Sequence, residues 1–162
     1  MNALHEKPVY KTQWVINKFQ DDAAFVAGKA YATEVIDGNM LLNEGIGALL
    51  LLLTGGTETA FNNANARLGV GDSATAEAAT QTDLVAATNK TYKAMAATYP
   101  LIAAQTVTFR AVFASADANY AWQEFVIDNG GTALKTLNRK VSAQGTKASG
   151  QTWTLDVAVT FS

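Results

Sequence analysis

Gly69-Val70-Gly71-Asp72-Ser73 is the stretch of this chain that comes nearest to a chemical motif. Glycines beside an acid and a serine could cradle a phosphate or present a nucleophile. A Walker-type phosphate loop, however, ends on Gly-Lys-Ser/Thr, so that backbone N–H groups and the lysine hold the phosphates. A dinucleotide fingerprint needs a third glycine opening a helix, and a hydrolase elbow puts glycine on both sides of the serine. None of these patterns is met. The segment reads instead as a short strand from Arg67, a turn permitted by the glycines, and a small-residue loop running to Gln81-Thr82-Asp83-Leu84. In that reading Asp72 or Ser73 hydrogen-bonds nearby backbone N–H groups.

The remaining groups with chemical potential are equally sparse. His5 is the single histidine, and a hydrolytic triad or transition-metal site around it would need rigidly held partners. It stands in the N-terminal stretch, where the sequence supplies none. Asp72, Glu77 and Asp83 fall in one loop, and Asp117 and Asp128 fall at strand ends. Oxygen-rich loops bind calcium, yet no spacing here approaches that of an EF-hand loop. These carboxylates are read as solvated turn residues. With no cysteine in the chain, thiolate ligands and cysteine nucleophiles are excluded. We therefore assign no catalytic, cofactor-binding or metal-binding residue, and the expectation is a protein that is not an enzyme.

Composition points the same way. At 162 residues the chain has the size of one domain, and such a domain buries roughly 70% of the surface its unfolded form exposes. Charged residues make up only 16%, against about 25% in soluble domains generally. A surface with so few charges suits a protein partly covered by neighbours. The net charge of -2 leaves no basic stripe to neutralise phosphates, so direct binding to nucleic acid is not expected. Met1 to Pro8 has no basic stretch leading into an apolar one, and the chain is read as unprocessed and made in the cytoplasm.

The elements that must position these residues follow from periodicity. Met40 to Leu53 reads as a helix, because leucine has good helix propensity and Gly55-Gly56 supplies a left-handed stop. Its run Ile46 to Leu53 is far shorter than the about 20 apolar residues a bilayer requires, so no membrane is expected as a partner. Five consecutive leucines cover every face of that helix, which predicts burial on most sides, within its own domain or against a neighbouring subunit. Downstream the period becomes two. Trp153, Leu155, Val157, Val159 and Phe161 alternate with polar or small residues, as do Val107, Phe109, Ala111 and Phe113. Ala121 to Ile127 and Ala133 to Val141 flank Asp128-Asn129-Gly130-Gly131, a hairpin signal. Lys90 to Tyr99 is a weaker strand reading, broken by Pro100. Lys11 to Phe19 and Ala24 to Val35 suit two further strands. The predicted architecture is mainly β. It is an antiparallel β-sandwich, of which a jelly roll is one form, with an apolar helix near residues 40–54. Residues 1–37 form an extended N-terminal arm or an added hairpin, and 38–162 form the sandwich domain.

An ordered series of short motifs carries a resemblance. Leu42-Asn43-Glu44-Gly45, Leu53-Thr54-Gly55-Gly56, Ala60-Phe61-Asn62-Asn63-Ala64-Asn65-Ala66 and Leu68-Gly69-Val70-Gly71-Asp72-Ser73 come first. Ala87-Thr88-Asn89-Lys90, Ser115 to Trp122, Leu137-Asn138-Arg139-Lys140-Val141 and Gly145 to Gly150 follow. Together they resemble structural proteins of tailed-bacteriophage virions over the last three quarters of the chain. The resemblance implies a non-enzymatic virion protein in many copies, a capsid decoration or cement protein that binds across capsid subunits and stabilises the particle. Its partners would be the major capsid protein or other virion proteins and copies of itself, and its location the virion.

Two alternatives stand beside that expectation: a tail or fibre component, and a carbohydrate-binding β-sandwich module presenting Trp122 or Tyr120 at a strand end. Assembly contacts rest on apolar and aromatic anchors within a polar rim. Trp14, Phe19, Phe25, Tyr31 and Leu49 to Leu53 are the candidates, each equally suited to the core.

Overall fold

The last strand, β10 (Thr152–Phe161), organises one layer of the computed structural model, which describes residues 10–162. Residues 1–9, with His5 among them, lie outside the described residues. The period of two along β10 buries Trp153, Leu155, Val157 and Val159 as their spacing predicts. On one side β10 pairs antiparallel with β1 (Tyr10–Phe19), from Tyr10↔Phe161 to Phe19↔Thr152. On the other it pairs with β7 (Thr106–Phe113). With β2 (Ala32–Asp37) and β6 (Leu101–Ala103), these strands form a sheet in the order β2-β1-β10-β7-β6.

Within the described residues of the N-terminal segment, β1 and β2 pair antiparallel. β1 is an inner strand, and Trp14 and Ile16 on it are fully buried in the common core. The second predicted strand starts later than its composition suggested. Residues 22–26 form a short helix, α1 (Asp22–Val26), because the Asp21 carboxylate accepts from the Ala24 N–H at 2.7 Å and caps it. Capping chemistry there outweighs the β propensity of Phe25 and Val26.

The second layer has β3 (Met40–Leu41), β9 (Thr136–Val141), β8 (Glu124–Asp128), β4 (Arg67–Gly71) and β5 (Lys90–Ala94), ordered β3-β9-β8-β4-β5. β8 and β9 form the predicted hairpin, with Gly130 at φ +60° in the turn. All pairings among the described strands are antiparallel. The inner faces meet at an aromatic centre, where the Trp122 ring packs edge-on against Phe113 at 4.8 Å and Trp153 at 4.9 Å. Trp14 and Phe125 join it from opposite sheets. The fold is thus the predicted β-sandwich.

Helix α2 (Asn43–Leu53) follows β3 and lies against β9. Gly45 faces the Leu137 backbone so closely that no side chain would fit, which lets the helix sit down on the strand. The glycine stop is as predicted: Gly55 has φ +73°, and the Gly56 N–H donates to the Leu51 carbonyl at 2.7 Å.

Burial of the helix on most sides does not hold for this chain by itself. Gly45 and Ala48 are its only buried residues, while Ile46, Leu50, Leu51 and Leu53 are exposed, Leu53 by 82%. An 11-residue helix on the end of one sandwich has a single face to bury. Leu49 takes that place against the core.

Candidate functional site

The glycine segment belongs to the interior of the second sheet. Gly69 and Gly71 lie within β4, paired to β8 on one side and β5 on the other, and both are buried. The expectation of a turn at these glycines is therefore corrected. A Cβ on Gly69 would lie 2.7 Å from Val126 Cγ2 and 2.8 Å from the Tyr92 ring, and one on Gly71 would meet the Glu124 side chain. They are glycines because neighbouring side chains fill the space above the strand. The chain leaves β4 only after Gly71, where the Ser73 hydroxyl accepts from the Thr75 N–H at 3.2 Å, as the turn chemistry predicted.

The acidic residues of the following loop do not converge. Asp72 accepts from Asn89 Nδ2 at 2.6 Å, and Glu77 accepts from the Val141 N–H at 2.5 Å. Asp83 accepts from the Tyr92 hydroxyl and lies 3.7 Å from Lys90 Nζ. Burial, and then that bond to Asp83, push the Tyr92 pKa far above the normal phenol range. Asp117 accepts from the Ala114 N–H and pairs with Lys93 at 2.9 Å. Asp128 is wholly buried and takes a bidentate pair of bonds from Arg67, at 2.9 and 3.0 Å. Burial alone would neutralise that carboxyl and does raise its pKa, while Arg67 and the Gly130 N–H oppose the shift. Of these acids, Asp128 departs furthest from a solvated turn residue. Among the described residues no group of three or more His, Cys, Asp or Glu is arranged to hold a metal ion.

The strongest polar constellation is one that sequence reasoning missed. Glu124 on β8 and Arg139 on β9 are both fully buried, with Arg139 Nη2 2.7 Å and Nε 2.8 Å from Glu124 Oε2. The carboxylate also accepts from the Val85 and Ala86 N–H groups at 2.9 and 2.7 Å. Arg139 donates to the Thr75 carbonyl at 3.0 Å, to Gln81 Oε1 at 3.0 Å and to the Ala76 carbonyl at 3.4 Å. The loop between β4 and β5, which has no helix or strand of its own, is thereby tied down over the outer face of the sheet. Chemically the pair is committed: both charges are spent inside the fold, with no opening to a substrate. A charge inside an apolar strand was the available signal, since Glu124 heads Phe125-Val126-Ile127.

Lys147 is a further buried charge. Its ammonium donates to the Ala114 carbonyl and to Asn119 Oδ1, each at 2.8 Å, and burial pushes its pKa down. It closes the loop before β10 over the end of β7.

Aromatic surface is scarce. Trp122 is fully buried, and its indole N–H donates to the Ala118 carbonyl at 3.0 Å. Tyr120 uses its hydroxyl on the Val70 carbonyl and Thr91. Neither presents a ring face to a sugar, which removes the feature on which the carbohydrate reading rested. Of the proposed assembly anchors, Trp14 and Phe19 are in the interior, Phe25 packs edge-on against Phe19 at 5.3 Å, and Tyr31 is half exposed. One exposed apolar surface is the outer stripe of α2: Ile46, Leu50 and Leu53, spaced four and three residues apart, with Leu51 beside them. Glu44, the only charged residue on the helix, turns inward to accept from the Thr136 N–H at 2.6 Å.

Comparison with protein-family models, curated proteins and solved structures returns no significant match, so the apolar face of α2 and the inert buried charges are what functional reasoning has to work with.

Proposed function

We propose that this chain is a non-enzymatic structural protein of a tailed-bacteriophage virion, a capsid decoration or cement protein that docks in many copies across capsid subunits. The exposed leucine face of α2 carries the reading, and the ordered motif series from Leu42 to Gly150 directs it to virions. Ile46, Leu50, Leu51 and Leu53 leave in water the equivalent of about two whole aliphatic side chains. Covering them contributes roughly 3–7 kcal/mol per copy before the costs of association. Summed over many copies on a lattice, such contacts resist the outward pressure of packaged DNA. The buried ion pair and the capped loops keep the scaffold rigid, so that docking loses little to ordering.

The test uses particles with and without the protein. Particles lacking it are expected to rupture at lower temperature and milder osmotic shock, and imaging is expected to place it on the head lattice. Equal resistance in both treatments would overturn the stabilising role. Density confined to the tail would favour a tail or fibre component, where the same face would meet a different partner.

A further inference from the structure

We infer that Lys147 and Asn119 join covalently, the lysine amine displacing ammonia from the asparagine side chain to leave an amide between the β7–β8 and β9–β10 loops. The two groups are already in contact. Lys147 Nζ lies 2.8 Å from Asn119 Oδ1. A C=O bond is about 1.2 Å long, so the Asn119 carbonyl carbon stands no more than about 4 Å from the amine, close to the roughly 3–3.5 Å of a near-attack geometry. The backbone holds both residues there. The Lys147 N–H donates to the Tyr120 carbonyl at 3.1 Å, the Gly150 N–H donates to the Ser115 carbonyl at 3.2 Å, and Ala121 and Thr146 form a bridge. Asn119 Nδ2 donates to the Ser115 carbonyl at 3.0 Å, which orients the amide.

The charge on Lys147 gives the reaction its direction. Glu124 is paired with Arg139, and Asp128 with Arg67. Lys147, fully buried, forms no ion pair among the described residues. A buried ammonium without a counter-ion is costly, and replacing it by an uncharged amide removes that cost. Burial also pushes the pKa of this amine down, which supplies the neutral nucleophile.

In the step itself the Nζ–Cγ bond forms and the Cγ–Nδ2 bond breaks. Two protons of the lysine ammonium pass to the departing nitrogen, which leaves as ammonium, so no other reagent is consumed. Asp117, two residues before Asn119 and accepting from the Ala114 N–H at 2.9 Å, puts a carboxylate in the same turn, where its charge acts on Lys147. Asn119 is exposed, so the leaving group reaches water. The product ties residues 28 apart in a chain without cysteine, and restrains the unfolded state as a disulfide would.

The cross-link is read on the purified full chain and does not depend on the virion role. Relative to its own sequence, the parent should be about 17 Da lighter by intact mass, and tryptic digestion should give one joined peptide containing Asn119 and Lys147, with the bond after Lys147 uncut. Asn119→Ala, at an exposed position, should fold as the parent does and show no loss of mass. Succinimide formation at Asn129-Gly130 would also release ammonia, but hydroxylamine opens that ring and leaves the amide intact. A parent that keeps its sequence mass after incubation at mildly alkaline pH, where the amine is neutral, overturns the inference. So does a loss of mass that hydroxylamine reverses, or one that Asn119→Ala retains.

Discussion

Replacing Arg139 by leucine removes the buried cation paired with Glu124 and strands the carboxylate beside it. In the parent, Glu124 accepts from Arg139 Nε, lies 2.7 Å from Arg139 Nη2, and accepts from the Val85 and Ala86 N–H groups. The variant retains only the two backbone donors to Glu124, and the Thr75 carbonyl, the Ala76 carbonyl and Gln81 Oε1 each lose the Arg139 donor. Breaking a buried pair from one side costs about 3–5 kcal/mol because the remaining charge stays out of water. That is a large part of the roughly 5–15 kcal/mol holding a domain together. For a domain of this size each kcal/mol moves the melting temperature by about 2–4 °C, so Arg139→Leu should melt about 6–20 °C below the parent. Adding Glu124→Gln removes the stranded charge while keeping the shape under Gly71, and the double variant should regain part of the loss. Thermal and urea unfolding measure both. Hydrogen exchange at the Val85 and Ala86 amides should accelerate in Arg139→Leu before global unfolding. A melting temperature within about 2 °C of the parent, or a double variant less stable than Arg139→Leu, would refute the assignment of this pair as the anchor of the loop.

Three further outcomes follow from packing and titration. Gly69→Val should destabilise by about 1–3 kcal/mol, read as a lower urea midpoint, since its side chain meets Val126 and Tyr92; an unchanged midpoint would return Gly69 to an open turn. Trp153→Asp and Val157→Asp should abolish soluble folded protein by burying an unpaired charge, and a soluble variant with the parent melting temperature would mean that face is not core. Tyr10, Tyr92 and Tyr120 all have phenols raised above the ordinary value, in each case chiefly by burial. Their folded pKa values exceed the unfolded ones, so this contribution to stability is complete below pH about 10 and declines as pH rises beyond it. Absorbance titration should show these three ionising late, in step with alkaline unfolding, whereas five tyrosines titrating together near pH 10 in a folded protein would contradict it.

Local rules reached much of this molecule and stopped at identifiable places. Alternation located β7 and β10 to the residue, and the Asp-Asn-Gly-Gly run located the β8–β9 turn. Those signals are local, because one buried face and one tight turn write themselves into consecutive residues. β6 escaped notice because three residues at a sheet edge carry no period. Glu124, Arg139 and Lys147 were legible as charges but not as buried ones, since their partners come from segments 15 to 64 residues distant.

By itself the sequence determined a β-rich chain without cysteine or a recognisable catalytic motif, with a leucine helix closed by Gly55-Gly56. Only the tertiary structure decided which residues count as interior. It took Gly69 and Gly71 out of a turn and into a central strand, because Val126, Tyr92 and Glu124 press on them from other strands. It also placed α2 on an end of the sandwich with one face covered. How many sides of a helix are buried depends on what the rest of the chain puts around it, and five leucines in a row cannot state that.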